Sequence, residues 1–307
     1  MKIYTSENNW YQWSYDIDLF GRRQDKDQQF HTVYTKSNSA IGSFKNELCN
    51  AAKSTMDHYA GLRPCVFFSG GVDSEVVLRA YKDIGSNPIA YIIRYENDLN
   101  IQDVSYAITI CIMLDIEYKL IDFNLQKFYE NDAESISEIS QIDRPRALPQ
   151  LKFLDFVNDN EFAIYGIGDP RWSRGHDDYT LSAEWLLIDQ EHDTGWDKYI
   201  VQKGIPSIAQ WFKWTPGLVL SYTRLAWFQN LISDQYCGKL GVTSTKIIGY
   251  REAYTDLLDR KKLTGFEKID DLINQFEQSL EKKHNGLIYR GTVVRTLDQL
   301  WTEITGH

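Results

Sequence analysis

Four short apolar runs, at 65–68, 89–93, 118–123 and 162–167, limit what this chain can fold into more than any other feature. Each is short and rich in apolar residues, as a strand candidate is, although Lys119 and Asp122 interrupt the third. Helical patterns separate the first three, at 72–82 and 104–114. In the second of these Val104, Ala107, Ile108, Cys111 and Ile112 recur on one face. Strand, helix, strand, helix, strand predicts an α/β fold, a parallel sheet with crossover helices. A helix over 40–59 precedes it, with Ile41, Phe44, Leu48, Ala52 and Met56 at helical spacing. Between 126 and 160 an acidic, serine-rich stretch gives way to RPRALPQLKFLDFV, read as a turn entering a further helix.

On either side of this block the pattern changes. Residues 1–38 mix aromatic and polar side chains around an LFGRR turn signal and are expected to form short strands or an extended flap. After Gly168 the run of strand patterns stops, and six of the nine tryptophans fall between Trp172 and Trp227. Helices are expected around 221–235 and 268–283, the latter with Ile269, Leu272, Ile273, Phe276 and Leu280 on one side. The organisation predicted is a flap over 1–38, a nucleotide-binding domain over 39–169, and a mainly helical, substrate-determining subdomain over 170–307. Large aromatic side chains are what such a subdomain needs for its core.

The 307 residues carry a formal net charge of -10, which disfavours an electrostatic grip on nucleic acid unless a local basic patch exists. Arg171, Arg174, Lys203 and Lys213 are the residues that would build one. Cys49, Cys65, Cys111 and Cys237 stand far apart without a CxxC pair and read as free thiols. No apolar stretch approaches the roughly 20 residues a bilayer span needs, and the first residues lack a signal peptide's apolar segment. A cytoplasmic protein is the expectation.

The chemistry is concentrated in CVFFSGGVDSEVV, residues 65–77, where the first strand meets its helix. Glycines there let the backbone turn sharply and bring N–H groups close to a ligand. The helix that follows aims its free N–H groups and positive dipole end into the same space, so an anion belongs there. Ser69 and Ser74 add hydroxyl donors, whereas Asp73 faces a phosphate only across a cation and so suggests magnesium. The stretch matches neither GxxxxGK[ST] nor GxGxxG. Ser69, Gly70, Gly71, Val72, Asp73 and Ser74 spell SGGxDS, which resembles the pyrophosphate-binding loop of the N-type ATP pyrophosphatases. That PP-loop superfamily includes asparagine, GMP and NAD synthetases and several tRNA-modifying enzymes.

The resemblance implies a Rossmann-like fold, ATP and Mg2+ as ligands, and attack on the α-phosphorus with release of pyrophosphate. It implies that Phe68 and the YIIRY segment, with Ile93 and Arg94, flank the adenine. The fourth strand's ending, YGIGDPRW, looks like the glycine-rich acidic element of asparagine synthetase, which would set Gly168 by the nucleotide and pair Asp169 with Asp73 on magnesium. STKIIGYREAYTDLLDRKK is similar to the late segment that supplies a lysine to departing pyrophosphate, with Lys246 first and Arg251 second in line. Arg171, Arg174 and His176, in the RWSRGHDD loop, are expected to meet the substrate. The activity implied is that of an AMP-forming ligase that adenylates a carboxylate or amide-like oxygen of a small molecule or modified base, followed by a nitrogen nucleophile. A glutaminase domain like that of asparagine synthetase is not expected here, so the nitrogen would come as free ammonia, as an amine, or from a separate protein. The alternatives are a nucleic-acid or nucleobase modifying adenylase or thiolase and a non-catalytic nucleotide-binding module.

Overall fold

A computed structural model describes residues 8, 10–15, 18–19, 23, 25, 27–142, 144–174, 185–232, 242–260, 264–284 and 291–307. Within them the chain runs through strands β1 (Tyr11–Tyr15), β2 (Asp18–Leu19) and β3 (Phe30–Tyr34), then helix α1 (Phe44–His58). The block read from the sequence follows: β4 (Arg63–Phe67), α2 (Val72–Asp83), β5 (Ile89–Tyr95), α3 (Ile101–Met113) and β6 (Glu117–Phe123). Three short helices, α4 (Leu125–Asn131), α5 (Ala133–Ser140) and α6 (Leu148–Lys152), lead to β7 (Glu161–Ile164). Beyond it come β8 (Trp172–Arg174), β9 (Trp185–Gln190), α7 (Gly195–Lys203) and β10 (Ser207–Ile208). The remainder is α8 (Pro216–Thr223), α9 (Ala226–Ile232), α10 (Val242–Tyr250), α11 (Asp270–His284), β11 (Thr292–Thr296) and α12 (Leu297–Thr305).

The central sheet has the order β10-β7-β4-β5-β6, and every pairing in it is parallel. β4, β5 and β7 are apolar on both sides because both faces are covered, whereas β6, at the edge, is exposed over most of its length. Val66, Phe68, Ala90, Ile92, Phe162 and Ile164 join α1, α2, α3, α8 and α10 in one core. Their neighbours Cys65, Phe67, Ile89, Tyr91, Ile93 and Ala163 join α4 to α7 and α11 in the other. The two-residue period of a strand thus deals adjacent apolar side chains to opposite layers. Trp196, Trp211 and Trp214 are buried in these cores, as are the thiols of Cys65 and Cys111. Cys49 is half-buried, and Cys237 lies outside the described residues.

The fifth strand, β10, comes from beyond Gly168, where the sequence pattern had suggested that strands end. Three more strands lie there as well. β8, β9 and β11 form an antiparallel sheet, and β1 to β3 form another. Tyr11, Trp13, Tyr15, Phe30 and Tyr34 pack with Leu187, Val219, Leu220, Leu300 and Ile304 into a third core. Residues 11–15 and 30–34 are therefore walls of that core, not a flap.

Buried charges fasten this third core. Asp189, fully buried, receives Lys213 at 2.7 Å, Arg295 at 3.1 Å, Thr32 at 3.0 Å and Tyr34 at 3.2 Å. Glu191 receives Arg23 at 2.7 Å, Tyr15 at 2.6 Å and the Gly291 amide at 2.8 Å. Ser37 donates to the Ile304 carbonyl, so the first strands are held by the last helix as well as by β9.

Candidate active site

The strand order fixes where a ligand can sit. From β4 the chain moves outward to β5 and β6, then returns to the other side of β4 as β7, so the C-terminal ends of β4 and β7 diverge at a topological switch point. A cavity of about 1040 Å³ opens there. Phe68, Ser69, Gly70, Gly71, Val72, Asp73 and Ser74 line it from the loop after β4, and Ile93, Tyr165, Gly166 and Lys246 line it from other elements.

The loop has the conformation its glycines permit. Gly70 adopts φ +72°, and a Cβ there would fall 2.3 Å from the Asp103 carbonyl oxygen. Gly71 is the N-cap of α2, with extended backbone and no side-chain cap, which leaves the helix's first N–H groups available to a ligand. Ser74 Oγ donates to the Gly71 carbonyl at 3.2 Å. Gly166, just past β7, lets the strand end approach α2: its Cβ would lie 2.9 Å from Ser74 Cα.

Three charged groups meet beside this loop. Lys246 Nζ, from α10, lies 2.6 Å from Asp169 Oδ2 and 3.6 Å from Asp73 Oδ1. All three side chains are largely withdrawn from solvent, at 18%, 14% and 30% exposure in that order. Burial raises the Asp169 carboxyl above its ordinary range; Lys246 opposes this, and Asp73 adds to it. Burial alone would lower the Lys246 ammonium, but the two carboxylates outweigh it and hold the group above its usual value. Asp169 is raised chiefly by burial and Lys246 by the two acids that share it, a set of two acids and one cation that leaves one negative charge uncompensated when both acids are ionised.

Sequence reasoning therefore finds its separate choices Asp73, Asp169 and Lys246 in contact. Three other expected residues sit elsewhere. Arg94 lies outside the cavity lining and donates to Asp122 at 2.6 Å. The two stand directly opposite in the β5–β6 register, so cross-strand pairing takes the side chain along the sheet. Arg251 also lies outside it, bound to the Leu257 carbonyl at 2.7 Å and to Asp259 at 3.1 Å. Gly168, at φ +87°, packs on Gln210 rather than lining the cavity. Arg171 reaches Asp193 at 3.3 Å and Gln190 at 2.5 Å. The Arg174 side chain and all of His176 lie outside the described residues.

Of the four residues expected to build a basic patch for nucleic acid, three are paired with acids. Lys213 is buried on Asp189, Lys203 pairs with Asp155 at 3.0 Å, and Arg171 with Asp193. Two further residues near the loop escaped the sequence reading besides Gly166: Arg260, in the cavity lining, and Tyr250, buried against Asp73. Arg260 forms a buried ion pair with Glu75 at 2.6 Å, yet its guanidinium nitrogens make no well-directed hydrogen bond. Tyr250 donates to Asp73 Oδ1 at 2.7 Å. Its place one helical turn beyond Lys246 was a signal in the sequence, since i and i+4 share a helix face. Among the described residues no group of three or more His, Cys, Asp or Glu side chains forms a metal cluster, so a cation here would have two carboxylates from the protein.

No family model matches the chain, and no curated protein matches it. Among solved structures it is similar to NMN synthetase from Francisella tularensis, at 16% identity over 78% of this chain and 94% of that one, with a TM-score of 0.37. It is similar to the NH3-dependent NAD synthetase from Campylobacter jejuni, at 14% identity over 79% and 94%, with a TM-score of 0.32. A predicted subunit of tRNA methyltransferase from Methanocaldococcus jannaschii is 17% identical over 50% and 93%, with a TM-score of 0.27.

Proposed function

We propose that the chain is an ATP pyrophosphatase that adenylates a carboxylate or amide-like oxygen of a small molecule or modified base, releases pyrophosphate, and passes the adenylate to a nitrogen nucleophile. The observation that carries this reading is the SGGVDS loop at the switch point with Asp73, Asp169 and Lys246 converging beside it.

Each residue has a task in that reaction. The uncapped N–H groups at the start of α2, with Ser69 and Ser74, hold phosphate oxygens. Phe68 and Ile93 flank the base. Lys246 neutralises the departing pyrophosphate, and Arg171, Arg174 and His176 are the residues proposed to meet the acceptor. The uncompensated charge shared by Asp73 and Asp169 suits a divalent cation, and these two residues would hold Mg2+. Bound there, Mg2+ would neutralise phosphate charge and supply the ligand sites that two carboxylates leave open to phosphate oxygen and water. A protein nucleophile is not required, because positioning and charge neutralisation carry most of such a transfer.

The test is incubation of the protein with α-labelled ATP and Mg2+ across pools of carboxylates, amines and nucleosides, scoring AMP with pyrophosphate against ADP with phosphate. AMP and pyrophosphate that vanish in Asp73→Asn are expected. ADP as the product would overturn the assignment.

A further inference from the structure

Tyr250 is fully buried, with its ring between Phe44 and Phe212 at centroid distances of 5.8 and 6.0 Å and interplanar angles of 8° and 7°. A ring held in such a stack has little freedom, so its hydroxyl marks a fixed point in space. That point lies 2.7 Å from Asp73 Oδ1, the oxygen that also faces Lys246 Nζ. Helix α10 thus grips one carboxylate oxygen with an ammonium and a phenol four residues apart. Burial first, and the nearby carboxylate of Asp73 second, keep the phenol neutral, so toward Asp73 it acts as a donor.

We propose that Tyr250 is a positioning residue: by holding Oδ1 it fixes the Asp73 carboxylate so that Oδ2 is presented to the cation. The inference rests on the cation seat proposed above and adds to it the group that orients one of its two ligands. Outer partners of metal-binding carboxylates contribute in this way, and their loss commonly costs about 10–100-fold in metal affinity.

Tyr250→Phe keeps the stacked ring and removes only the hydroxyl. The probe is Mn2+ alone, titrated into nucleotide-free protein and followed by the electron paramagnetic resonance signal of the free ion. The variant should bind Mn2+ about tenfold more weakly or worse than the unaltered chain. In an Asp73→Asn background the same substitution should change affinity by less than about twofold, because a residue acting through Asp73 has nothing left to orient. Equal Mn2+ affinity with and without the hydroxyl, or a full effect in the Asp73→Asn background, overturns the role of Tyr250 and leaves the cation seat standing. An unaltered chain that binds no Mn2+ at millimolar concentration overturns the seat itself, and the inference with it.

Discussion

Replacing Gly166 by alanine tests whether the phosphate loop depends on how closely β7 approaches it. The new methyl would lie 2.9 Å from Ser74 Cα and 3.1 Å from Ser74 N. Comfortable carbon contacts are about 3.5–4.0 Å, so strand end and helix must part by about 0.6–1.1 Å. Both atoms are backbone, and no side-chain rotation relieves the contact. Overpacking of this kind costs about 1–3 kcal/mol of stability. The effect on chemistry should be larger, since a displacement of about 1 Å lowers rates about 100-fold. Gly168→Ala is the matched control. It forces φ +87° on an alanine, at about 1–2 kcal/mol, and presses on Gln210 at 2.8 Å instead of on Ser74. Urea unfolding gives the stability of each variant, and calorimetric titration with a non-hydrolysable ATP analogue gives affinity. Gly166→Ala should lose nucleotide affinity out of proportion to its stability loss, and Gly168→Ala should not. Undiminished affinity in Gly166→Ala, or a larger loss in Gly168→Ala, refutes the coupling of β7 to the loop.

Three other perturbations follow from the same contacts. Lys246→Met leaves Asp169 and Asp73 facing each other without their cation and should destabilise the fold by about 3–5 kcal/mol at pH 8. The Asp169 carboxyl, already raised, should rise further, and since a raised acid favours the folded state only while protonated, the deficit should shrink as pH falls; equal deficits at pH 5 and 8 would contradict this. Burial pushes Asp197 up to about 7 against hydrogen bonds from Gln210 and Trp13. Its contribution is full below the ordinary carboxylate value and is lost as pH rises through about 7, so the melting temperature should fall from pH 6 to 8 and Asp197→Asn should flatten that slope. Asp189→Ala strands Lys213 and Arg295 in the third core, and denaturant titration should register a loss of about 3–5 kcal/mol.

The sequence reading reached the sheet most closely where strands are covered on both faces. β4, β5 and β6 lie within two residues of the apolar runs that announced them; burial on two sides leaves β4 and β5 little room for polar alternation, and β6, at the sheet edge, is exposed over most of its length. It missed β10, where only two residues pair with β7 and no period can develop. β1 and β3 do alternate, buried residues with less buried ones, but nothing local says that Leu187 and Ile304 are what they bury against. In the site, Asp73 was legible through its loop and Asp169 through its place at a strand end. Arg94 shares that kind of place and went elsewhere, since the identity of the residue opposite it on β6 decides its direction. Tyr250 was hidden for a related reason: a tyrosine in a helix resembles core until the structure brings a carboxylate to its hydroxyl.

The fastening of the third core bears on how the chain is made. β1 and β3 leave the ribosome before the groups that satisfy them: Leu187 and Asp189 follow only after β4 to β7, and Arg295 and Ile304 later still. During synthesis those aromatic strands have a long interval with their apolar faces uncovered, while α1, β4, α2 and β5 already have one another. Asp73 likewise waits through translation of more than half the chain for Lys246 and Tyr250. The first strands of the central sheet have close neighbours in the sequence, whereas the aromatic strands and the charged centre wait for distant segments, which makes that interval the period in which the nascent protein most needs shielding from other chains.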